Sequence, residues 1–82
     1  MAEQTLEDRQ KVVRELEDIR NSLSAALEKV ARVQMETEST DPGIQETFDG
    51  CVSSLSEVTE QIGTVQSDYE METARRQIEG EL

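Results

Sequence analysis

From Leu6 onward, apolar and polar positions alternate along the chain with the period of a helix. Val12, Leu16, Ile19, Leu23, Ala26, Val30 and Val33 follow one another at steps of four and three residues. That alternation is a heptad seam, the pattern by which one helix packs along another. Leu6, Val13 and Leu27 fall on one adjoining position and widen the seam on one side. Thr5 stands three residues ahead of Asp8, a capping-box spacing that predicts a helix start. Glu7 with Lys11, and Glu28 with Arg32, are i,i+4 pairs in the favourable order, contributing ~0.2–0.5 kcal/mol each.

The pattern breaks over Thr37-Glu38-Ser39-Thr40-Asp41-Pro42-Gly43. A residue before proline avoids helical geometry, so the first helix has ended by Thr40. Asp41 is expected to cap a second helix, with Pro42 in the first helical position, where its missing N–H costs nothing. Ile44, Phe48, Cys51, Leu55, Val58, Ile62, Val65 and Tyr69 then repeat the four-three alternation. The phase runs on through Glu72 and Arg76, where the seam turns polar, and Gly80 closes the helix. Asp49-Gly50 followed by Ser54-Leu55-Ser56-Glu57 has the look of a helix that breaks and restarts. The unbroken heptad phase across that point predicts one continuous helix.

The expectation is an all-α chain: a single domain over residues 1–82 forming an antiparallel two-helix hairpin of coiled-coil type. Helix 1 covers about 5–37, the turn 38–42 and helix 2 about 43–79, with arms of ~50 Å at 1.5 Å per residue. Folding about Thr40 aligns Val33 with Phe48, Val30 with Cys51, Ala26 with Leu55, Ile19 with Ile62 and Val12 with Tyr69. In that register Leu6, Val13, Leu27 and Val52 sit beside the seam and face water unless further helices cover them. Self-association or partner helices would complete a bundle. The expected association residues are Leu6, Val13, Leu16, Ile19, Leu23, Leu27, Val52, Leu55, Val58, Ile62 and Val65.

Composition sharpens this. Phe48 and Tyr69 are the only aromatic residues, too few for a thick globular core. The formal net charge of -11 argues against binding nucleic acid or an anionic membrane surface directly. No apolar run approaches the ~18 residues of a membrane span, and Met1-Ala2-Glu3-Gln4 lacks the regions of a secretory signal. Cys51 stands alone, so no internal disulfide framework points to secretion. The expected location is the cytoplasm or a particle assembled inside a cell. Six of the eight bases are arginine. Many acids with little lysine is the pattern of proteins adapted to concentrated salt, although a GC-rich genome encoding an acidic coiled coil gives the same pattern.

Candidate chemistry is sparse. Without histidine, the commonest general base and transition-metal ligand is missing, and Ser53, Ser54 and Ser56 have nothing to activate them. Cys51 falls on the seam, where a buried structural thiol is expected. No calcium-loop ligand order, phosphate-cradling glycine loop or dinucleotide motif occurs. We therefore expect no catalysis, no cofactor and no metal. Charge is the unusual feature. Ten acids and no base lie between Arg32 and Arg75, and Glu46, Asp49, Glu57, Glu60, Asp68 and Glu70 fall off the seam as an acidic face. That face is either solvated or offered to a basic partner, in the extreme as a decoy for nucleic-acid phosphates. The eight acids from Asp41 to Glu72 span ~45 Å, where duplex DNA carries about 26 charges. That charge density counts against strong mimicry.

The length and the helix–proline turn–helix layout resemble the needle subunits and small helical chaperones of bacterial type III secretion. The resemblance covers architecture only. Those needle subunits have a two-proline turn and a polymerising tail, whereas this chain has Pro42 alone and an acidic tail from Gln77 to Leu82. No residue roles carry over. The sequence thus points to a non-enzymatic, protein-binding assembly component, small chaperone or adaptor, partnered by itself or by another protein. The alternative is an acidic decoy inhibitor of a nucleic-acid-binding protein.

Overall fold

A computed structural model describes residues 4–82, so the expectation about a secretory signal at Met1–Glu3 lies largely outside the described part. Helix α1 spans Leu6–Thr37, a 3-10 turn covers Pro42–Ile44, and helix α2 spans Gln45–Ile78. The two helices pack antiparallel into a rod of 60 × 20 × 15 Å. The all-α hairpin is as expected, and α2 is continuous through Gly50 and Gly63. No helix among the described residues is long and apolar enough to cross a membrane.

The helix ends follow local chemistry. The capping box at Thr5 is complete: Asp8 N donates to Thr5 Oγ1 at 3.1 Å, and Thr5 N donates to Asp8 Oδ2 at 3.0 Å. These bonds favour the ionised form of Asp8 and hold its carboxyl below the ordinary range. At the far end Gly80 adopts φ +76, Glu81 N donates to Arg76 O, and Gly80 N donates to Gln77 O. This is a Schellman termination, for which glycine is suited because it has no Cβ to clash. The central turn departs from expectation, since Asp41 makes no side-chain cap. The 3-10 turn is instead clasped by Gln45, whose Nε2 donates to Thr37 Oγ1 and to Asp41 O, each at 3.2 Å.

The expected register holds, but the buried face is rotated by one heptad position. On α1 the positions against α2 are Leu6, Arg9, Val13, Leu16, Arg20, Leu23, Leu27, Val30, Gln34 and Thr37. On α2 they are Gln45, Phe48, Val52, Leu55, Thr59, Ile62, Gln66, Tyr69, Thr73 and Arg76. All except Arg20 are buried or partly buried. Leu6, Val13, Leu27 and Val52, expected to face water, are therefore partly buried between the helices. Ile19, Val33, Ile44, Val58 and Val65, expected inside, are exposed, and so is Cys51, which is not a buried thiol.

The reason for the rotation is polar. Arg9, Arg20, Thr59, Gln66 and Thr73 stand at alternate seam positions that a count of apolar residues passes over, and most of them find partners across the hairpin. Arg9, only 3% exposed, donates from Nε to Thr73 Oγ1 at 2.6 Å, from one Nη to Gln4 Oε1 at 2.6 Å, and from the other to Tyr69 O at 3.4 Å. Its guanidinium lies 3.9 Å from the centroid of the Tyr69 ring, a cation–π geometry. Gln66, 7% exposed, accepts from Arg20 at 3.1 Å and donates to Glu17 and Glu70 at 3.4 and 3.2 Å. Thr59 spends its hydroxyl on its own helix, donating to Leu55 O at 2.7 Å. Among the described residues no large apolar side chain is fully buried.

Candidate interaction surface

Because the helices run antiparallel, matching heptad positions on the two helices share an edge of the rod. The rod consequently has two unlike edges. On one, Glu17, Arg20, Gln66 and Glu70 form the hydrogen-bonded cluster described above, and Gln34 donates to Asp49 at 2.7 Å. Arg20 lies across Gly63, where an added Cβ would sit 3.7 Å from Nε. This polar edge closes the hairpin through side-chain bonds.

The other edge is apolar and open. Val12, Ile19, Ala26 and Val33 line it from α1, Ile44 from the end of the 3-10 turn, and Cys51, Val58 and Val65 from α2. Ile19, Val33, Ile44, Val58 and Val65 are each between 41% and 49% exposed. Of the eight large apolar side chains that are exposed among the described residues, these five fall at one heptad position. A shallow groove runs between the helices here, floored by Leu23, Val30, Leu55 and Val58 and rimmed on α2 by Thr47, Gly50, Cys51 and Ser54. The rim residues are small and uncharged. A Cβ at Gly50 would meet nothing within 4 Å, so the hairpin itself does not require glycine there.

The expected association residues therefore separate. Ile19, Val58 and Val65 belong to the open edge, and Leu23 and Leu55 floor its groove. Leu16 and Ile62 lie in the shared seam, and Leu6, Val13, Leu27 and Val52 are partly buried beside it. Val12 and Val33 belong to the open edge as well, although the expected surface omitted them. Their membership was visible in their heptad phase once the seam position was known.

On the acidic face, Glu46, Asp49, Glu57, Glu60, Asp68 and Glu70 are all exposed, and of these Asp49 and Glu70 also accept hydrogen bonds from Gln34 and Gln66. Charge is distributed unequally between the helices: α1 carries seven acids and six bases, while α2 carries seven acids and two bases, Arg75 and Arg76. Every ion pair among the described residues involves one of those two arginines, so the expected Glu7–Lys11 and Glu28–Arg32 pairs do not close. Glu72 accepts from Arg75 and from Arg76, which lowers its pKa to about 2 and raises that of Arg75. Among the described residues no group of three metal-ligating side chains gathers.

No protein-family model matches the chain, and neither a curated protein nor a solved structure shows significant similarity to it.

Proposed function

We propose that this protein is a non-catalytic helical hairpin that works by packing its apolar edge against helices of another subunit, as an assembly component, small chaperone or adaptor. One observation carries this. Five large apolar side chains are left exposed at a single heptad position along one edge, beside a rod that fully buries no large apolar side chain. Scattered surface apolar residues are ordinary in soluble proteins, but a contiguous stripe marks an interaction surface. The exposed Cys51 thiol suits a reducing compartment, consistent with the cytoplasm or a particle assembled there.

Site-specific photo-crosslinking in cells tests the proposal. A diazirine-bearing amino acid at Val58 should give a polypeptide adduct, whereas the same group at Met35, 74% exposed on the outer surface, should not. Equal yields from the two positions, or no adduct at Val58, would refute a docking edge.

A further inference from the structure

We infer that the occupant of the apolar edge is a second copy of this chain, laid side by side with both turns at the same end, so that α1 of each copy faces α2 of the other. This rests on the docking edge proposed above and adds its partner and geometry.

Area supports a protein-sized occupant. The apolar stripe spans 21 residues of each arm, ~32 Å, on a rod 15 to 20 Å wide. It offers about 500–600 Å² of the ~800 Å² per partner of a standard stable interface, and the polar surface flanking it supplies the remainder. The apolar stripe runs from Val12 to Val33 on α1 and from Ile44, at the end of the 3-10 turn, to Val65 on α2. A second rod of the same length, carrying the same stripe, covers it from end to end.

Charge selects the arrangement. Two hairpins stacked by a twofold axis have two choices. With turns at opposite ends, α1 meets α1 and α2 meets α2. Because α2 holds seven acids and no base from Gln45 to Glu72, that choice sets Glu57 and Asp68 against further carboxylates with no cation between them. With turns at the same end, α1 meets α2. Lys11 then comes level with the partner copy's Asp68 and Glu72, and Lys29 lies about one helical turn from its Glu57. Neighbouring helices run antiparallel in both arrangements, so charge decides between them. The small rim of Thr47, Gly50 and Ser54 lets the opposing α1 approach the groove closely.

The test uses the purified full chain carrying Cys51→Ala and Ser39→Cys, with a nitroxide label on the exposed turn position. Sedimentation should report a dimer at tens of micromolar, a range that detects micromolar affinity. Electron–electron distance measurement should place the two turn labels within about 30 Å, from helix spacings of ~10 Å plus label linkers. A distance near the 60 Å rod length would overturn the same-end arrangement. A folded monomer would overturn the second copy as occupant. If Val58 crosslinks in cells to a different protein while the purified chain stays monomeric, the docking edge stands and this inference falls.

Discussion

Two glycines in α2 offer a way to separate the stability of the hairpin from that of its assembly. Glycine inside a helix costs ~0.8–1.0 kcal/mol relative to alanine, so Gly50→Ala and Gly63→Ala should each recover that amount if the new methyl fits. At Gly63 the methyl meets Arg20 Nε at 3.7 Å, ordinary van der Waals contact, and at Gly50 it meets nothing within 4 Å. Each change should raise the melting temperature by roughly 4–8 °C in dilute solution, the usual shift per kcal/mol for a domain of this size. The sites lie 13 residues, ~20 Å, apart on the helix, so the two gains should add. Assembly should respond differently. Gly50 rims the apolar groove, and an extra methyl in a close-packed contact costs about 1–3 kcal/mol. Gly50→Ala should therefore weaken the dimer at least about fivefold, while Gly63→Ala, on the polar edge, should leave dimer affinity unchanged. Circular-dichroism melts in dilute solution and sedimentation equilibrium at high concentration read the two effects separately. A loss of stability in Gly63→Ala would show that Arg20 cannot yield. Tighter association in Gly50→Ala would show that no helix approaches that rim.

Three further outcomes are expected. Arg9→Ala removes three hydrogen bonds and the ring contact and should cost about 2 kcal/mol by denaturant titration; Arg9→Lys should recover little, because an ammonium lacks the planar fork, and full recovery would refute the geometry. Glu72 has its pKa depressed, so its bonds to Arg75 and Arg76 stabilise the fold above the ordinary value of 4.5 and are lost as pH falls toward about 2; the stability gap between the parent and Glu72→Gln should close over that window, and a gap constant from pH 6 to pH 2 would contradict the assignment. Melting temperature should rise as salt is added, since ten acids without a base repel one another and the Debye length is ~3 Å at 1 M. Reversing Glu57 and Glu60 to lysine should mimic that rise in dilute buffer, and a salt-independent melting temperature would argue against it.

The hairpin, its turn and its register were legible because each rests on information close in sequence. Thr5 and Asp8 are three residues apart, and the proline turn confines the fold point to a few residues. The buried face was not legible to the same degree. Each helix carries apolar residues at three adjacent heptad positions, so either of two seams can be drawn through Leu16, Leu23 and Val30. Counting apolar residues favoured Ile19 over Arg20 and Val65 over Gln66. The structure favours the polar pair because exposed Arg20, 46 residues away, donates to buried Gln66, and a buried polar group is tolerated where it is paired. Such pairing is invisible until the two helices are placed side by side. Asp41 failed as a cap for a different reason: the 3-10 turn leaves its backbone carbonyl, rather than its carboxylate, as the acceptor for Gln45.

The polar layers also act as a key cut with unequal teeth. Arg9, Arg20 and Gln34 are separated by 11 and 14 residues along α1, and they meet Thr73, Gln66 and Asp49 on α2. Sliding one helix past the other by seven residues would still align leucine and valine stripes. It would leave the guanidinium of Arg9 opposite the wrong layer, away from Thr73 and the Tyr69 ring, at a position where burial without partners is costly. The alignment is therefore written into the arms rather than into the loop. Extra residues spliced in after Ser39 should lengthen the loop without shifting the arms, and a partner meeting this hairpin encounters a surface whose spacing is already set.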